Sequence, residues 1–421
     1  MNSSAPDPRL RAAWTAVALL APVALLNYFD RQMVASMKTS MMAAIPTIGT
    51  DAHWGFMLGQ FKWAYAILSP AVGLLADRFG RKAIVVASLL AWSVVTWLTG
   101  TATTYDQLLW ARTAMGISEA FYIPAGLALI AEHHGAATRA KAVGVHQAAI
   151  YVGVVLGGFA GYIADAPALG WRFAFHAAGI VGVLYALLLA RGLREPMRTS
   201  TAAEAPASRG FLAGLGPLLS NPSYLLMIAY FTLPAIAGWV VRDWMPAILK
   251  EEFRIGQGKA GVGATLYVNL AALAAVFVGG HLSDQAAKRR LRGRIQVSAI
   301  GMALLAPALF LVGNAPGMGS YGAAIAGLAL FGIGWGLFDG NNMPILSQIV
   351  APERRATAYG FMNLVSIGTG GIADVAFGML RDRHVPLNAI FGIFSLTIVV
   401  SVALVLLVRP RPELSEAETS R

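Results

Sequence analysis

Cysteine is missing altogether. Disulfide frameworks, thiol nucleophiles and cysteine-bound metals are therefore excluded. Charge is also scarce: Asp, Glu, Lys and Arg make up 13% of the 421 residues, about half of the roughly 25% usual for a soluble domain. A soluble enzyme of this length needs a charged surface, and these side chains are too few to make one. No phosphate-cradling Gly-rich loop with its Lys occurs, so nothing supports drive by ATP. Apolar residues are abundant instead. Hydrophobic residues are 57% of the chain and mean hydropathy is +0.62, which excludes intrinsic disorder.

Apolar runs long enough to cross a bilayer need about 20 residues. Twelve occur, near 12–36, 53–76, 82–101, 106–131, 141–163, 172–191, 223–248, 260–282, 295–313, 320–350, 356–380 and 386–408. All are predicted to be helices, because backbone in lipid must satisfy its own hydrogen bonds and the runs are too long for barrel strands. The first run follows Arg9 and Arg11 without a convincing cleavage site, so it reads as a retained span. The formal net charge of +11 invites a nucleic-acid reading, but its placement points to topology. With both termini cytoplasmic, inner segments carry 21 of the 32 Lys and Arg. Outer loops then carry only Lys38, Arg172, Lys250, Arg254, Lys259, Arg381 and Arg383. This is the positive-inside bias, and no nucleic-acid partner is expected. The expected location is multi-pass in a plasma membrane, with short loops suiting a bacterial inner membrane.

The chain also repeats itself. Gly73-Leu74-Leu75-Ala76-Asp77 is echoed by Gly280-His281-Leu282-Ser283-Asp284, an offset of 207, and Arg139-Ala140-Lys141-Ala142-Val143-Gly144 by Arg355-Ala356-Thr357-Ala358-Tyr359-Gly360, an offset of 216. The expected organisation is an N-terminal six-helix bundle over 1–191, a cytoplasmic linker over 192–222, a C-terminal six-helix bundle over 223–409 and a cytoplasmic tail over 410–421. Parallel repeats of this kind place a binding site near the bilayer midplane.

The most informative residues are ionisable groups inside the spans, where a charge costs roughly 2.5–3.5 kcal/mol or more and faces a partner or a wet cavity. Span one holds Asn27-Tyr28-Phe29-Asp30-Arg31, span two Lys62 and Tyr65, and span four Arg112 and Glu119. The seven-residue step from Arg112 to Glu119 is close to two helical turns, so both lie on one face. Span five holds His146 and Gln147, span ten Asp339, Asn341, Asn342 and Pro344, and span eleven Asn363 and Asp374. A guanidinium binds a carboxylate through its planar fork. Burial favours the protonated form of an acid and a neighbouring cation the ionised form, so anion and proton binding can be coupled. The alternative is that Asp30, Arg31, Arg112 and Glu119 are internal pairs holding the helices together. Asp30 and Arg31 are adjacent on one helix and so are not expected to pair with each other. Gln147 and Asn363 are separated by the repeat offset of 216 and suit hydroxyl or carboxylate ligands, or helix–helix bonding. Pro344 is expected to free backbone carbonyls in span ten, as a hinge or a packing kink.

The run Gly73-Leu74-Leu75-Ala76-Asp77-Arg78-Phe79-Gly80-Arg81-Lys82 resembles the signature loop of the major facilitator superfamily. That resemblance implies an all-α membrane protein of twelve transmembrane helices in two pseudo-symmetric six-helix bundles, a secondary transporter working by rocker-switch alternating access rather than an enzyme. It also implies gating roles for Asp77, Arg78, Arg81, Lys82 and Asp284. Within the superfamily, Asn27-Tyr28-Phe29-Asp30-Arg31, Arg112 with Glu119, and Trp244-Met245-Pro246 resemble the anion:cation symporter family. The implied roles are proton coupling by Asp30 and Glu119, and substrate contact by Tyr28, Arg31, Tyr65 and Arg112. Gln147, Asn342 and Asn363 are expected to add neutral polar contacts, with Lys62, Asp339 and Asp374 as further candidates. The expected activity is proton symport of a small organic anion such as a sugar acid, with protons as coupling ion, no other cofactor or metal, and a monomeric carrier. Spinster-type lysolipid and sphingolipid carriers have a similar Asn-Tyr-x-Asp-Arg stretch, which keeps an amphipath carrier open. Proton-driven efflux is a third reading. The glycine run of span five lacks the Gly-Pro step of proton antiporters, which favours uptake.

Overall fold

The computed structural model describes residues 8–69, 78–195 and 211–414. Sixteen α-helices occur among them and no strands. The first half holds α1 (Pro8–Ser36), α2 (Lys38–Ala44), α3 (Asp51–Leu68), α4 (Arg81–Thr101), α5 (Tyr105–Glu119), α6 (Tyr122–His133), α7 (Ala136–Asp165) and α8 (Gly170–Gly192). The second holds α9 (Phe211–Leu219), α10 (Pro222–Phe253), α11 (Gln257–Arg289), α12 (Gly293–Asn314), α13 (Tyr321–Asp339), α14 (Asn342–Ser347), α15 (Arg355–Asp382) and α16 (Leu387–Leu407). Eleven helical stretches among the described residues are long and apolar enough to cross a bilayer. The described part of span two is α3; its expected continuation through residue 76 lies outside the described residues, as do Asp77 and 196–210 of the linker. Large apolar side chains lie fully open along the helices, among them Ile67, Trp110, Phe277 and Leu396 at 68–73% exposure. Such a surface suits lipid rather than water.

Helix ends follow from local chemistry. Thr104 caps α5 by accepting from the Gln107 N–H, Ser320 caps α13 by accepting from Ala323, and Asn221 caps α10 just ahead of Pro222. Gly80 precedes α4 with φ +82°, and a Cβ there would meet the Glu195 carboxylate. That carboxylate accepts the Arg81 N–H at 2.6 Å. The glycine of the signature loop is thus required by both backbone angle and close approach.

Two expected spans are broken. Span four is interrupted at Ala120–Phe121 between α5 and α6, and span ten at Gly340–Asn341 between α13 and α14, the backbone of all four residues staying in the right-handed helical region. Each break lies just before a proline, Pro124 or Pro344, which has no N–H for the carbonyl four residues back. The second break agrees with the reading of Pro344; the first was hidden because apolar character continues through it.

The chain forms two compact units. The first comprises residues up to Gly49, Gln60–Ala203 and Gly256–Gly261; the second comprises Thr50–Gly59, Glu204–Ile255 and Val262 onward. In the first, α1 packs on α7 and α4 on α8; in the second, α10 packs on α15 and α12 on α16. Numbered by span, these pairs are one–five and three–six, repeated as seven–eleven and nine–twelve. The close approach of α7 to α1 needs small residues: a Cβ at Gly153 would strike the Leu25 backbone, and one at Gly157 the Phe29 carbonyl.

Candidate functional site

The charged residues of spans one and four meet in the first unit. Arg31 Nε donates to Glu119 Oε2 at 2.6 Å, joining α1 to α5. The Glu119 side chain is fully buried and that of Arg31 is 12% exposed. Arg31 also lies in an aromatic box, its guanidinium carbon 4.9 Å from the Tyr28 ring centre, 4.9 Å from Phe61 and 4.7 Å from Tyr65. The Arg112 guanidinium lies 4.5 Å from the same Phe61 ring. One aromatic ring therefore serves two cations, each contact worth about 0.5–2 kcal/mol. Arg112 also acts electrostatically on both Asp30 and Glu119.

Asp30 turns away from its neighbour, accepting from the buried Thr96 hydroxyl of α4 at 3.0 Å. Adjacent residues of one helix thus engage different neighbours, Asp30 on α4 and Arg31 on α5. The close contact of α3 with α5 brings the aromatic and charged groups together. Gly116 lies between Arg112 and Glu119 on α5, and a Cβ there would strike the Phe61 carbonyl. Without a side chain at 116, α3 comes near enough for Phe61 to reach both arginines.

Unpartnered polar atoms remain inside this cluster. Arg31 Nη2, Glu119 Oε1 and Asp30 Oδ1 are buried and make no hydrogen bond among the described residues. Native interiors satisfy most such atoms, and leaving one unmet costs roughly 1–3 kcal/mol or more when charged. Donor and acceptor capacity is therefore present for a further acidic group or a proton.

The remaining candidates are dispersed. Lys62 is buried on α3. Gln147 is exposed on α7 and Asn363 half-buried on α15. Asn342 is buried at the start of α14, with its amide nitrogen 3.5 Å from Asp339 Oδ1 at the end of α13. Asp374 is fully buried on α15. His146 is a packing residue: its Nε2 lies 2.8 Å from the Tyr122 hydroxyl, which donates to the Leu20 carbonyl. Sequence reasoning missed Phe61, Thr96 and Arg242. Phe61 had a usable signal, since it precedes Tyr65 by one helical turn. Thr96 had none, because a threonine in an apolar span usually bonds its own helix.

Residues 20–373 match the family model described as Major Facilitator Superfamily. The chain belongs to the major facilitator superfamily. It is thus a multi-pass membrane transporter with the twelve-helix fold. It is 29% identical over 385 residues to an MFS-type efflux pump of Mycolicibacterium smegmatis, covering 88% of this chain and 85% of the relative. It is 27% identical over 371 residues to the protein spinster of Drosophila melanogaster, covering 86% of this chain and 60% of that one. It is also 29% identical over 394 residues to human spinster homolog 1, covering 87% and 72%. Among solved structures, it is similar to an inward-facing, unoccupied bacterial homolog of the human lysosomal transporter spinster (TM-score 0.75, 20% identity, 99% and 98% covered). A D-xylose-proton symporter is similar too (TM-score 0.74, 18% identity, 95% and 99% covered).

In this facilitator two of the described signature-loop cations, Arg81 and Arg78, have local partners. Arg81 pairs with Glu132 of α6 while its N–H bonds Glu195. Arg78 is exposed over Phe79 at 5.2 Å, and Lys82 is half-buried. In the second unit Asp284 pairs with Arg294 at 3.0 Å, its side chain 61% exposed.

Proposed function

We propose that this transporter couples proton movement to carriage of an organic anion whose acidic group docks at Arg31. The ion pair of Arg31 with Glu119 carries this reading, because it is the element that substrate and proton can each open. Asp30, Glu119, Arg31 and Arg112 sum to zero formal charge with both acids ionised. Each proton taken up leaves one positive charge, which one anionic group on the substrate balances. Buried charge stays matched only when anion and proton load together, since an uncompensated ion in a dry site is costly. A substrate carboxylate that takes the guanidinium fork from Glu119 leaves that acid without its counter-ion, and the acid then binds a proton. Tyr28, Phe61 and Tyr65 hold the guanidinium in place and offer faces to an apolar or ring-bearing part of the substrate. Asp30 is assigned the second proton of this cluster. Rocker-switch alternating access then carries the loaded site from one side to the other.

The spinster relatives favour a second reading, the one the Asn-Tyr-x-Asp-Arg stretch keeps open, in which the anion is the head group of an amphipath. The same chemistry at Arg31 serves both readings.

Uptake into proteoliposomes under an imposed pH gradient tests the proposal, with sugar acids, aromatic acids and lysolipids as the panel. The expected result is accumulation of one anionic class, abolished by a protonophore. Arg31→Ala loses binding, while Asp30→Asn and Glu119→Gln keep substrate-for-substrate exchange and lose accumulation. Normal accumulation by both acid variants would refute the coupling. Transport confined to lysolipids would select the amphipath reading.

A further inference from the structure

The Arg31–Glu119 arrangement has a counterpart in the second unit. Glu119 is the last residue of α5, a two-residue break follows at 120–121, and Pro124 comes next. Shifted by 220, the same pattern reads Asp339 as the last residue of α13, a break at 340–341, and Pro344. Arg31 lies over Tyr28, three residues before it on α1, at 4.9 Å. Shifted by 211, Arg242 lies over Trp239, three residues before it on α10, at 5.3 Å. Asp30 precedes Arg31, and Asp243 follows Arg242.

A physical need explains the recurrence. An acid at a proline-interrupted turn lies beside carbonyls that have lost their N–H partners, and those carbonyls disfavour a bare carboxylate. Such a group in an apolar span needs a cation: in the first half Arg31 of the first span bonds Glu119 of the fourth, and Arg242 holds the matching place on the first span of the second half. Arg242 acts electrostatically on Asp339, and Asp339 in turn on Tyr230, both partners lying on α10. Asn342 of α14 faces it with a donor at 3.5 Å, while its own Oδ1 is buried without a hydrogen bond among the described residues. Of the neighbouring helices, Gly279 of α11 and Gly301 of α12 abut Leu337, Val276 of α11 approaches Gly340, and Ser298 of α12 hydrogen-bonds Tyr230.

We propose that Asp339 is a further proton-binding carboxyl, this one in the second unit, with Arg242 as its counter-ion and Asn342 as its hydrogen-bond partner. Arg242 is a positioning residue that sets when Asp339 gives up its proton. The proposal rests on the proton-coupled reading for its place in the transport cycle, while its test does not need a substrate.

The probe is the proton itself. Lipid-reconstituted protein is followed by infrared difference spectroscopy through a series of pH steps, reading the C=O stretch of protonated carboxyl groups. Asp339→Asn is expected to lose one titrating band that Glu119→Gln retains, and Asp339→Glu to keep a band at shifted frequency. Arg242→Gln moves the titration midpoint of the Asp339 band and leaves the Glu119 band in place. A full set of wild-type bands in Asp339→Asn would overturn the proposal. Should that variant fail to fold, an Arg242→Gln spectrum identical to wild type would overturn it equally. Loss of no band in Glu119→Gln, with the Asp339 band present, would instead count against the Arg31–Glu119 coupling alone.

Discussion

At the scale of single residues, Phe61 has the most to decide. Its ring centre is 4.9 Å from one guanidinium carbon and 4.5 Å from another, so it fixes where two positive charges sit relative to Glu119. Replacing it with leucine keeps most of the volume and removes the π face. At about 0.5–2 kcal/mol per contact, Phe61→Leu is expected to raise the KM of the substrate found by the uptake panel several-fold to about thirty-fold, with maximal rate changed less. Phe61→Tyr keeps the ring and is expected to stay near wild type. A wild-type KM in Phe61→Leu would show that the ring does not position the arginines. The acids and arginines of this first-unit cluster were legible in the sequence, because a charge in a span is conspicuous against its neighbours, whereas Arg242 in span seven was overlooked. Their pairing was not. Arg112 and Glu119 share a face by spacing, yet the hydrogen-bonded partner of Glu119 comes from another helix, at Arg31. Spacing along one helix reports which groups share a side; it carries no information about what the adjacent helix brings.

At the scale of elements, the spans were readable to within a few residues because bilayer thickness sets their length. The break after Glu119 was not, although its proline was in view. A proline four residues after a carbonyl frees that carbonyl without dictating whether the helix bends or stops. Packing between elements was equally hidden, since it depends on where a glycine lies rather than on how many there are. Gly116 illustrates this. A methyl group there meets the backbone of Phe61, which cannot rotate away as a side chain would. Gly116→Ala is expected to force α3 from α5, at about 1–3 kcal/mol of overpacking. It should lower thermal stability in detergent and reduce transport at least about tenfold. Gly144 on α7 is the internal control, because a Cβ there meets nothing within 4 Å. Gly144→Ala should leave stability unchanged or raise it by up to about 1 kcal/mol through helix propensity. Equal behaviour of the two variants would remove the packing argument.

At the scale of the whole molecule, the repeat reaches beyond the charged clusters to the ends of the spans. Asp165 closes α7, and its carboxylate accepts from the Gly258 N–H at 3.0 Å and from the Gln257 side chain at 2.9 Å. Asp382 closes α15, and its two oxygens accept from the N–H groups of Asp51 and Ala52, both at 2.9 Å. The two acids are 217 residues apart, close to the offset of the loop echoes. Each meets the first turn of a helix, α11 or α3, where unbonded N–H groups and the positive dipole end favour a carboxylate. The bonds lie inside the compact units: Gly256–Gly261 clusters with the first and Thr50–Gly59 with the second. Replacing either acid with asparagine keeps the shape and halves the acceptor capacity. A charge-assisted cap of this kind is worth about 0.5–2 kcal/mol, and 1.4 kcal/mol corresponds to tenfold in a local opening equilibrium. Asp165→Asn should speed amide exchange at Gly258 roughly tenfold and leave Asp51 and Ala52 unchanged. Asp382→Asn should do the converse. Mass-resolved hydrogen exchange in nanodiscs reads both sites in one measurement. Unaltered exchange at the site facing each replaced acid would mean that packing of the glycines around these turns, and not the carboxylates, keeps them closed.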